Sequence, residues 1–372
     1  MNILQMIETA EVEWKALGEV VQLQRGKIIT AKSASVGNIP VISGGQKPAY
    51  FTGEYNRDGE TITIAGSGAY AGFVMYWNEP IFVGDAFSVK PNENLLLTKY
   101  VYYFLLSNQT KIFGMKKGSG VPHVYPKDVA NLIIPIPSLS LQKEIVKILD
   151  KMTELEATLE AELALRAKQY QYYRDLLLDC ENPQNPFSGS LKVEWKTLDK
   201  IAKNFNSMRK PIRSGLREKG NIPYYGASGV VDYIKDYIFD GDFLLISEDG
   251  ANLLARNTPI AFSISGKSWV NNHAHVLQFN SYAERRFIES YLNNIDLTPY
   301  ISGAAQPKLN KQNLNSIKIP VPPPEIQAKI VEILDKFDTL THSLTEGLPR
   351  EIALRRKQYE YYRAQLLNFQ VT

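Results

Sequence analysis

Apolar residues recur with a heptad spacing in two separate stretches of the chain, residues 141–159 and 326–344. In both stretches the successive intervals are four, three, four, three and four residues. A mean period of 3.5 keeps one apolar stripe of a helix directed at a partner helix. The stripe consists of Leu141, Ile145, Ile148, Met152, Leu155 and Leu159, and of Ile326, Ile330, Ile333, Phe337, Leu340 and Leu344. We therefore predict two long helices that pack against each other along this seam.

The sequence around the two seams repeats as well. The repeated segments are "QKEIVKILDK" (142–151) and "QAKIVEILDK" (327–336), "RAKQYQYYRDLLL" (166–178) and "RRKQYEYYRAQLL" (355–367), and, upstream, "EVEWKALGEV" (11–20) and "KVEWKTLDKI" (192–201). They are separated by 185, 189 and 181 residues, respectively. A period of this length indicates a tandem duplication of a whole domain, with two small insertions, and not a solenoid.

Two segments, residues 13–138 and 193–321, contain short apolar or alternating runs separated by glycine-containing turns, which predict β-strands. The predicted strands are 61–65, 72–77, a pair within 80–91 and 131–137, and then 242–247, 258–265 and a region at 269–279 that parallels 80–91. Each segment also has one predicted helix, within 95–108 with Thr98 as its N-cap, and at 285–295. The pattern predicts an α+β fold with two tandem β-rich domains.

The second long helix differs from the first by the insertion "EGLPR" (346–350). Glycine past a helix end and proline in the first turn of the next helix are typical of a break, and here they are Gly347 and Pro349. We expect the first helix to continue unbroken over about 40 residues, or ~60 Å. The second should be divided near residue 347.

The middle parts of the two segments, residues 27–60 and 205–240, have almost no sequence similarity, although the flanking parts match. Similar ends with different middles indicate one scaffold that presents two different recognition surfaces.

Composition is that of a globular protein: 44% of the 372 residues are hydrophobic and 22% are charged. The length predicts two domains. Cys180 is the single cysteine, which excludes an internal disulfide framework and suits a reducing compartment. The sequence has no apolar run that would cross a bilayer and no signal peptide, so we expect a cytoplasmic protein without membrane contact.

Motifs for catalysis are weak. "NPQNPF" (182–187) lacks the consecutive prolines of amino methyltransferases and is interpreted as a linker, and "SGKS" (265–268) lacks the first glycine of a P-loop. "GSGAYAG" (66–72) fits a turn or a close approach of backbone to a ligand. His273 and His275 could form half of a zinc site, but the chain has few other ligands. We predict no catalytic residues and no metal in this chain.

Basic and amide residues near glycines are the main signal for nucleic acid, because Arg and Lys bind phosphates and guanine and Asn and Gln suit adenine. The net charge of +3 permits this function without requiring it. Two loops at equivalent positions, 116–123 and 303–311, are the strongest candidates. Candidate DNA-binding residues are Lys47, Tyr50, Arg57, Ser67, Tyr70, Lys116, Lys117, Ser119, His123, Arg209, Lys210, Arg213, Arg217, Lys219, Asn271, Asn272, Lys308 and Lys311. For any one of them a solvated surface charge is the alternative interpretation.

The long helices have tyrosines and cations on more faces than an intramolecular pair needs, and these residue types are common at interfaces. We predict that the seam residues, together with Tyr170, Tyr173, Tyr359 and Tyr362, form the coiled coil and a partner-binding surface.

The duplicated layout resembles the specificity subunits of type I restriction-modification systems, and the helix sequences are most similar to the IC branch. The resemblance covers essentially the whole chain and rests on "EVEWKALGEV", "IPIPSLSLQKEIVKILDKM", "IPVPPPEIQAKIVEILDKFDTLT" and "EGLPREIALRRKQYEYYR". It implies a pseudo-two-fold arrangement of two target recognition domains separated by two antiparallel coiled-coil helices. The implied parts are residues 1–138 (first domain), 139–180 (first helix), 181–321 (linker and second domain) and 322–372 (second helix).

The resemblance further implies that each domain reads one half of a split double-stranded DNA target and that helix length sets the gap. Two modification subunits, which bind S-adenosylmethionine, would dock on this chain, and restriction subunits, which use ATP and Mg, would join them. The chain itself would hold no cofactor. The alternatives are a coiled-coil scaffold whose domains bind protein or glycan, and an enzyme with an undetected site.

Overall fold

The computed structural model describes residues 2–190, 192–303 and 305–370. The chain forms two compact units. The first unit comprises Met1–Glu160 and Glu351–Thr372, and the second unit comprises Ala161–Arg350. Each unit therefore combines one β-rich segment with parts of both long helical regions.

The first unit contains nine strands and five helices before the long helix, within the described residues. The strands are β1 Glu13–Ala16, β2 Val21–Arg25, β3 Ile39–Ile42, β4 Tyr50–Thr52, β5 Glu60–Ala65, β6 Val74–Asn78, β7 Phe82–Val83, β8 Ala86–Pro91 and β9 Ile133–Ile136. The helices are α1 Ile3–Glu8, α2 Leu17–Val20, α3 Thr98–Ser107, α4 Gln109–Phe113 and α5 Pro126–Val129, followed by α6 Leu139–Leu178.

Strand β5 lies in the middle of an antiparallel sheet of order β2-β8-β5-β6. Its apolar residues Ile62 and Ile64 are fully buried, since they face the core formed with α3 and the start of α6. A smaller sheet of order β4-β3-β7 lies beside it, and β1 pairs with β9. The predicted strands are thus present, and the two within 80–91 pair with different sheets instead of each other.

The predicted helix within 95–108 is confirmed as α3. The prediction that Thr98 caps this helix is wrong. Leu97 has the extended conformation of the N-cap residue, and its N–H donates to Oε1 of Gln142 at 2.9 Å. Thr98 is consequently the first residue inside the helix.

The second unit repeats this order within its described residues. Its strands are β10 Glu194–Thr197, β11 Lys203–Asn204, β12 Lys219–Gly226, β13 Gly229–Ile234, β14 Phe239–Asp240, β15 Phe243–Ser247, β16 Ala261–Ile264, β17 Lys267–Val270, β18 Ala274–Gln278 and β19 Lys318–Val321. Its helices are α7 Leu198–Ile201, α8 Asn252–Ala255, α9 Tyr282–Asn294, α10 Lys311–Ser316 and α11 Pro324–His342, and α12 Gly347–Leu366 returns mainly to the first unit.

The two units have the same main sheet, because β11-β18-β15-β16 matches β2-β8-β5-β6 strand for strand. The pair β10–β19 likewise matches β1–β9. The units differ in the small sheet, which has four strands, β13-β12-β17-β14, in the second unit. The divergent middles of the sequence form most of this small sheet, and β7 and β17 complete it from outside the middles.

The predicted unbroken first helix is confirmed, since α6 has 40 residues. The predicted break is confirmed too, because α11 ends at His342 and α12 starts at Gly347. Gly347 has a φ of +72°, and a Cβ there would lie 2.3 Å from the carbonyl oxygen of Thr339. Only glycine fits this turn.

The heptad seam describes the helix packing only in part. In the second unit, Phe337 of α11 stacks on Tyr170 and Tyr173 of α6, with ring centroids 6.0 and 5.6 Å apart. His342 also contacts Tyr170, so the two helices are antiparallel there. In the first unit Arg356 of α12 pairs with Glu156 of α6 at 2.5 Å.

Two seam positions differ from the prediction. Leu344 lies in the turn after α11 and is 79% exposed, so its assignment to the seam is wrong. Leu155 is also exposed. At the start of α6 the buried apolar residues are Leu141, Ile145 and Leu149, a helical stripe inside the core of the first unit. The helix is embedded in the domain there, so its apolar positions follow the domain surface and not a helix partner.

The segment "NPQNPF" ends helix α6. The buried side-chain amide of Asn185 donates to the carbonyl oxygens of Leu176, Leu177 and Asp179 at 3.1 to 3.2 Å. These are carbonyls that a helix end leaves without internal partners. The segment that the sequence indicated as a linker therefore also caps the C-terminal end of the long helix.

No helix of the described chain is both long and apolar enough to cross a membrane.

Candidate nucleic-acid interface

Three loops of the first unit are joined by backbone hydrogen bonds at the end of strand β5. Gly66 N–H donates to the carbonyl oxygen of Asp85 at 3.1 Å, and Gly68 N–H donates to that of Pro122 at 3.0 Å. Val124 N–H donates back to Gly66 at 3.0 Å. Within the third loop, residues 117 and 123 exchange two bonds of 2.8 and 2.9 Å. We call this set, residues 66–68, 85 and 117–124, the first loop frame.

The second unit has the same bonds at the end of strand β15. Glu248 N–H donates to His273 at 2.9 Å, Gly250 to Pro307 at 3.1 Å, and Leu309 to Glu248 at 2.8 Å. Residues 302 and 308 exchange two bonds of 2.8 and 2.9 Å. These residues, 248–250, 273 and 302–309, form the second loop frame. Ala304, within the predicted loop 303–311, lies outside the described residues.

Glycines at equivalent places explain why both sequences form this frame. Gly68 and Gly250 have φ values of +86° and +106°, and Gly118 and Gly303 have values of +109° and +83°. Residues with a Cβ rarely adopt this region. The predicted backbone approach in "GSGAYAG" is thus the approach of one loop to another.

Side chains on the first frame form short polar pairs. The hydroxyl of Ser67 donates to the carboxylate of Asp85. Nζ of Lys117 lies 2.8 Å from the carboxylate of Asp128, in helix α5. Both pairs fix the position of loops whose outer surface stays exposed.

A recess of about 90 Å³ opens beside the first frame, and its walls include Arg25, Asp85, His123 and Tyr125. The imidazole of His123 stacks on Tyr125 with ring centroids 6.0 Å apart. The guanidinium of Arg25 lies 5.7 Å from the centre of the same tyrosine ring. Charged, aromatic and acceptor groups therefore meet at one small concave surface.

The second frame is held by a nearly buried carboxylate, Glu248. Its side chain contacts Arg209 at 2.6 Å, Lys308 at 3.3 Å and Nδ1 of His275 at 3.6 Å. Burial by itself would raise the pKa of Glu248, but the hydrogen bonds from Arg209 and Lys308 outweigh burial and lower that pKa. Glu248 is therefore ionised and clamps the surrounding loops together.

His275 is a neutral, structural histidine. It is fully buried, and Nε2 donates to the carbonyl oxygen of Leu309 at 2.7 Å. The Asn206 amide is oriented by Val276 N–H, which donates to Asn206 Oδ1, so the amide nitrogen faces His275 Nδ1 at 2.8 Å. Nδ1 must accept, which requires the neutral ring. Burial accordingly lowers the pKa of His275.

His273 is oriented differently from His275. Its Nδ1 lies 2.9 Å from the carboxylate of Asp249, and both side chains are partly exposed. Within the described residues, no group of three or more His, Cys, Asp or Glu side chains is placed to hold a metal ion.

The predicted DNA-binding residues fall into two groups. Those with exposed side chains are Lys47, Tyr70, Lys117, Ser119, Lys210, Arg213, Lys219, Asn272, Lys308 and Lys311. The others, which are partly or fully buried, are Tyr50, Arg57, Ser67, Lys116, His123, Arg209, Arg217 and Asn271. Ser67, Lys117, His123 and Lys308 belong to the loop frames.

Several of the buried candidates are engaged within the protein. Arg209 binds Glu248 and the carbonyl oxygen of Ala274, the latter at 2.7 Å. Arg57 donates to Ser88 at 2.8 Å. Arg217 pairs with Asp232 at 3.0 Å. Their local sequences are basic, but these guanidinium groups stabilise loops.

Sequence reasoning missed four members of the frames, Asp85, Glu248, Asp249 and His273 as a partner of Asp249, and it missed Tyr125 in the recess beside the first frame. It also missed Arg25. Basic and amide residues indicate DNA contacts in a sequence, whereas carboxylates within glycine turns carry no such signal. The word "RGK" (25–27) was an available signal for Arg25.

An exposed stripe of one leucine and one tyrosine occurs on each of two long helices, α6 and α12, at equivalent positions of the repeat. Leu165 and Tyr172 of α6 are 66% and 59% exposed, and the equivalent Leu354 and Tyr361 of α12 are 41% and 59% exposed. Each pair is seven residues apart, which places its members on one helix face. The predicted partner-binding residues Tyr170, Tyr173, Tyr359 and Tyr362 are less exposed and pack against the cores of their own units.

These features define a class, a duplicated α+β protein with two β-rich domains, a shared loop frame with different side chains, and long helices common to both units. Residues 10–165 and 192–354 each match the family described as type I restriction modification DNA specificity domain. The chain therefore belongs to the specificity subunit family of type I restriction-modification systems.

Relatives cover the chain to different extents. The EcoR124I/EcoR124II specificity subunit of Escherichia coli is 33% identical over 98% of this chain and 96% of its own length. A putative specificity subunit of Haemophilus influenzae is 46% identical over 48% of this chain and 46% of its own length. The type I S subunit of M. genitalium has the same fold, with a TM-score of 0.66, 19% identity and coverage of 98% of both chains.

Proposed function

We propose that this chain recognises a split double-stranded DNA sequence for a type I modification and restriction complex, with each unit reading one half. The observation that carries this proposal is the pair of loop frames. Their backbone bonds are the same, whereas the side chains at equivalent positions differ. A module that reads sequence needs constant support and variable base-contacting groups.

The exposed cations around the frames would bind phosphates and fix the register on DNA. In the first unit these are Lys47 and Lys117, and in the second Lys210, Arg213 and Lys308. Phosphate contacts supply affinity without sequence information. The frame residues between these cations would then face the base edges.

The duplicated helix stripe would dock two copies of one partner, the modification subunit. Leu165 with Tyr172 and Leu354 with Tyr361 offer the same chemistry at two sites, so a single partner surface fits both. Restriction subunits would join through that assembly. The continuous helix α6 would set the unspecific gap between the half-targets.

Catalysis would belong to the partners, with S-adenosylmethionine in the modification subunits and ATP with Mg in the restriction subunits. This chain would contribute recognition and assembly. The isolated chain is accordingly expected to show neither methyl transfer nor DNA cleavage.

The test is a map of adenine methylation in cells with and without this gene, in the presence of its modification partner. We expect a split motif with a fixed gap that disappears with the gene. Exchange of residues 13–138 for another recognition domain should change one half of the motif only. Insertion of one helical turn within 152–165 should change the gap alone. An unchanged methylome on loss of the gene, or a change of both halves in the exchange, contradicts the proposal.

A further inference from the structure

Each loop frame holds a carboxylate beside a hydrogen-bond donor, but the two groups have exchanged places. In the first frame the carboxylate is Asp85 and the donor is Ser67. In the second frame the carboxylate is Asp249, at the position equivalent to Ser67, and the donor is His273, at the position equivalent to Asp85. Two different sequences thus place the same chemical pair at the same point of the same backbone.

The carboxylates are unsuited to contact with phosphates, because like charges repel. They nevertheless lie near basic residues of the proposed DNA surface, since Ser67 forms a backbone bridge with His123, which also bridges Lys117, and Asp249 forms a backbone bridge with Lys308. A negative group at the centre of such a surface weakens DNA binding unless it has a positive or hydrogen-donating partner on the DNA.

The intramolecular donor leaves part of each carboxylate available. An ionised carboxylate has about four acceptor sites. The side chain of Asp85 is exposed, and that of Asp249 is 33% exposed, at the edge of the loops. Ser67 donates to one oxygen of Asp85, and Nδ1 of His273 lies within 3.0 Å of both oxygens of Asp249. A single donor orients each carboxylate and uses only part of its acceptor capacity.

We propose that Asp85 and Asp249 each accept a hydrogen bond from the exocyclic amine of a cytosine or adenine, one in each half of the target. Carboxylates read such amines in the major groove, where guanine and thymine present acceptors at the corresponding positions. Ser67 and His273 are positioning residues for these acceptors. This inference rests on the proposed function and adds to it two specificity-determining residues and the base chemistry that they select.

The experiment uses the complex of this chain with its modification subunits. The methylated motif is determined for Asp85→Asn and for Asp249→Asn, since asparagine replaces one acceptor with a donor at nearly constant shape. Each variant should lose selectivity at one base pair of its own half, and the cytosine or adenine of that pair is the base whose amine the acceptor would bind. Glu93→Gln and Asp199→Asn are matched controls, because both carboxylates are exposed and lie outside the frames.

A binding measurement then links residue and base. Removal of the amine from the identified base should weaken binding of the parent complex about tenfold. The corresponding Asn variant should show no further loss with the same modified duplex. If a variant fails to fold, Ser67→Ala or His273→Gln provides the second readout, with partial loss of selectivity at the same base.

These outcomes distinguish failure of this inference from failure of the proposed function. Parent motifs in both folded Asn variants would overturn this inference while the split motif itself supports the proposed function. Unchanged binding of the parent complex to the duplex that lacks the amine would also overturn it. Absence of any split motif with the parent chain would instead refute the function on which it rests.

Discussion

Asp150 of α6 and Asp335 of α11 occupy equivalent positions of the repeat, and each accepts hydrogen bonds from two side chains of one helix of its own domain, α3 for Asp150 and α9 for Asp335. Asp150 binds Nζ of Lys99 at 2.7 Å and the hydroxyl of Tyr103 at 2.6 Å. Asp335 accepts a hydrogen bond from the hydroxyl of Tyr282 at 2.6 Å. It also binds the guanidinium of Arg286, which lies one turn after Tyr282 in helix α9.

Arg286 contacts Asp335 at 2.9 and 3.1 Å. The order of cation and tyrosine along the packed helix is therefore reversed between the repeats, while the acceptor is unchanged. Both long helices are anchored to their domains in the same way, which fixes the helix end and the recognition domain as one body within each unit.

Asp150→Ala should lower the free energy of unfolding by about 1–3 kcal/mol, because it removes two bonds to a charged acceptor and leaves the partly buried hydroxyl of Tyr103 without its partner. The pair with Lys99 contributes little of this, since both side chains are about one-third exposed. Urea denaturation of the purified chain measures the change. Glu144→Ala on the same helix is the control, as its side chain is exposed, and a similar loss in both variants would contradict the anchor.

Glu248→Gln should destabilise the second unit by about 3 kcal/mol, because it leaves the nearly buried guanidinium of Arg209 without a counter-charge. The double variant Glu248→Gln with Arg209→Met should recover part of this loss, which a double-mutant cycle measures. Additive effects of the two substitutions would show that the clamp does not couple these residues.

The lowered pKa of Glu248 also predicts a pH dependence. The carboxylate is ionised more easily in the folded chain, so its contribution is complete above the unfolded pKa of about 4.3 and is lost as the pH falls through the lower folded value. Acid titration of the parent should therefore show a loss of stability that Glu248→Gln lacks.

His275 predicts a second, separate pH window. Its folded pKa is below the unfolded value of about 6.5, so the unfolded chain binds a proton that the folded chain excludes. Stability should consequently fall as the pH decreases below about 6.5 and should be constant for this group at higher pH. His275→Gln keeps a donor for Leu309 but cannot titrate, and its unfolding free energy should lack this slope. An equal slope in the parent and the variant between pH 7 and 5 would exclude His275 as its source.

Local sequence patterns were sufficient to predict the duplication, the main strands, the unbroken helix α6 and the break at Gly347. Each of these depends on residues close in the chain, such as glycine and proline within one turn. The loop frames could not be predicted in the same way, because their bonds join Gly68 to Pro122 and Gly250 to Pro307 across more than fifty residues. Those contacts depend on which strands pair with each other, and strand pairing cannot be read from a single sequence.

Charge patterns misjudged individual residues for a similar reason. Arg209 and Lys210 are neighbours with the same apparent chemistry, but one guanidinium is bound to Glu248 and the other side chain is exposed. The heptad at the start of α6 indicated a helix partner, whereas Leu149, outside the seam, is buried in the domain core. Tertiary structure decided these cases.

Salt dependence distinguishes phosphate contacts from surface charge. Affinity for the specific duplex should fall steeply with salt concentration, and each lost phosphate contact reduces the slope of log K against log salt by about 0.9. Lys210→Ala and Lys47→Ala, at exposed positions in opposite units, should each reduce the slope by about that amount and weaken binding to all sequences equally. Lys143→Ala is the control, because this exposed lysine lies on helix α6 outside both loop frames. A parent slope near zero would favour a scaffold that binds protein or glycan, and a reduction with Lys143→Ala equal to that with Lys210→Ala would place the DNA on a different surface.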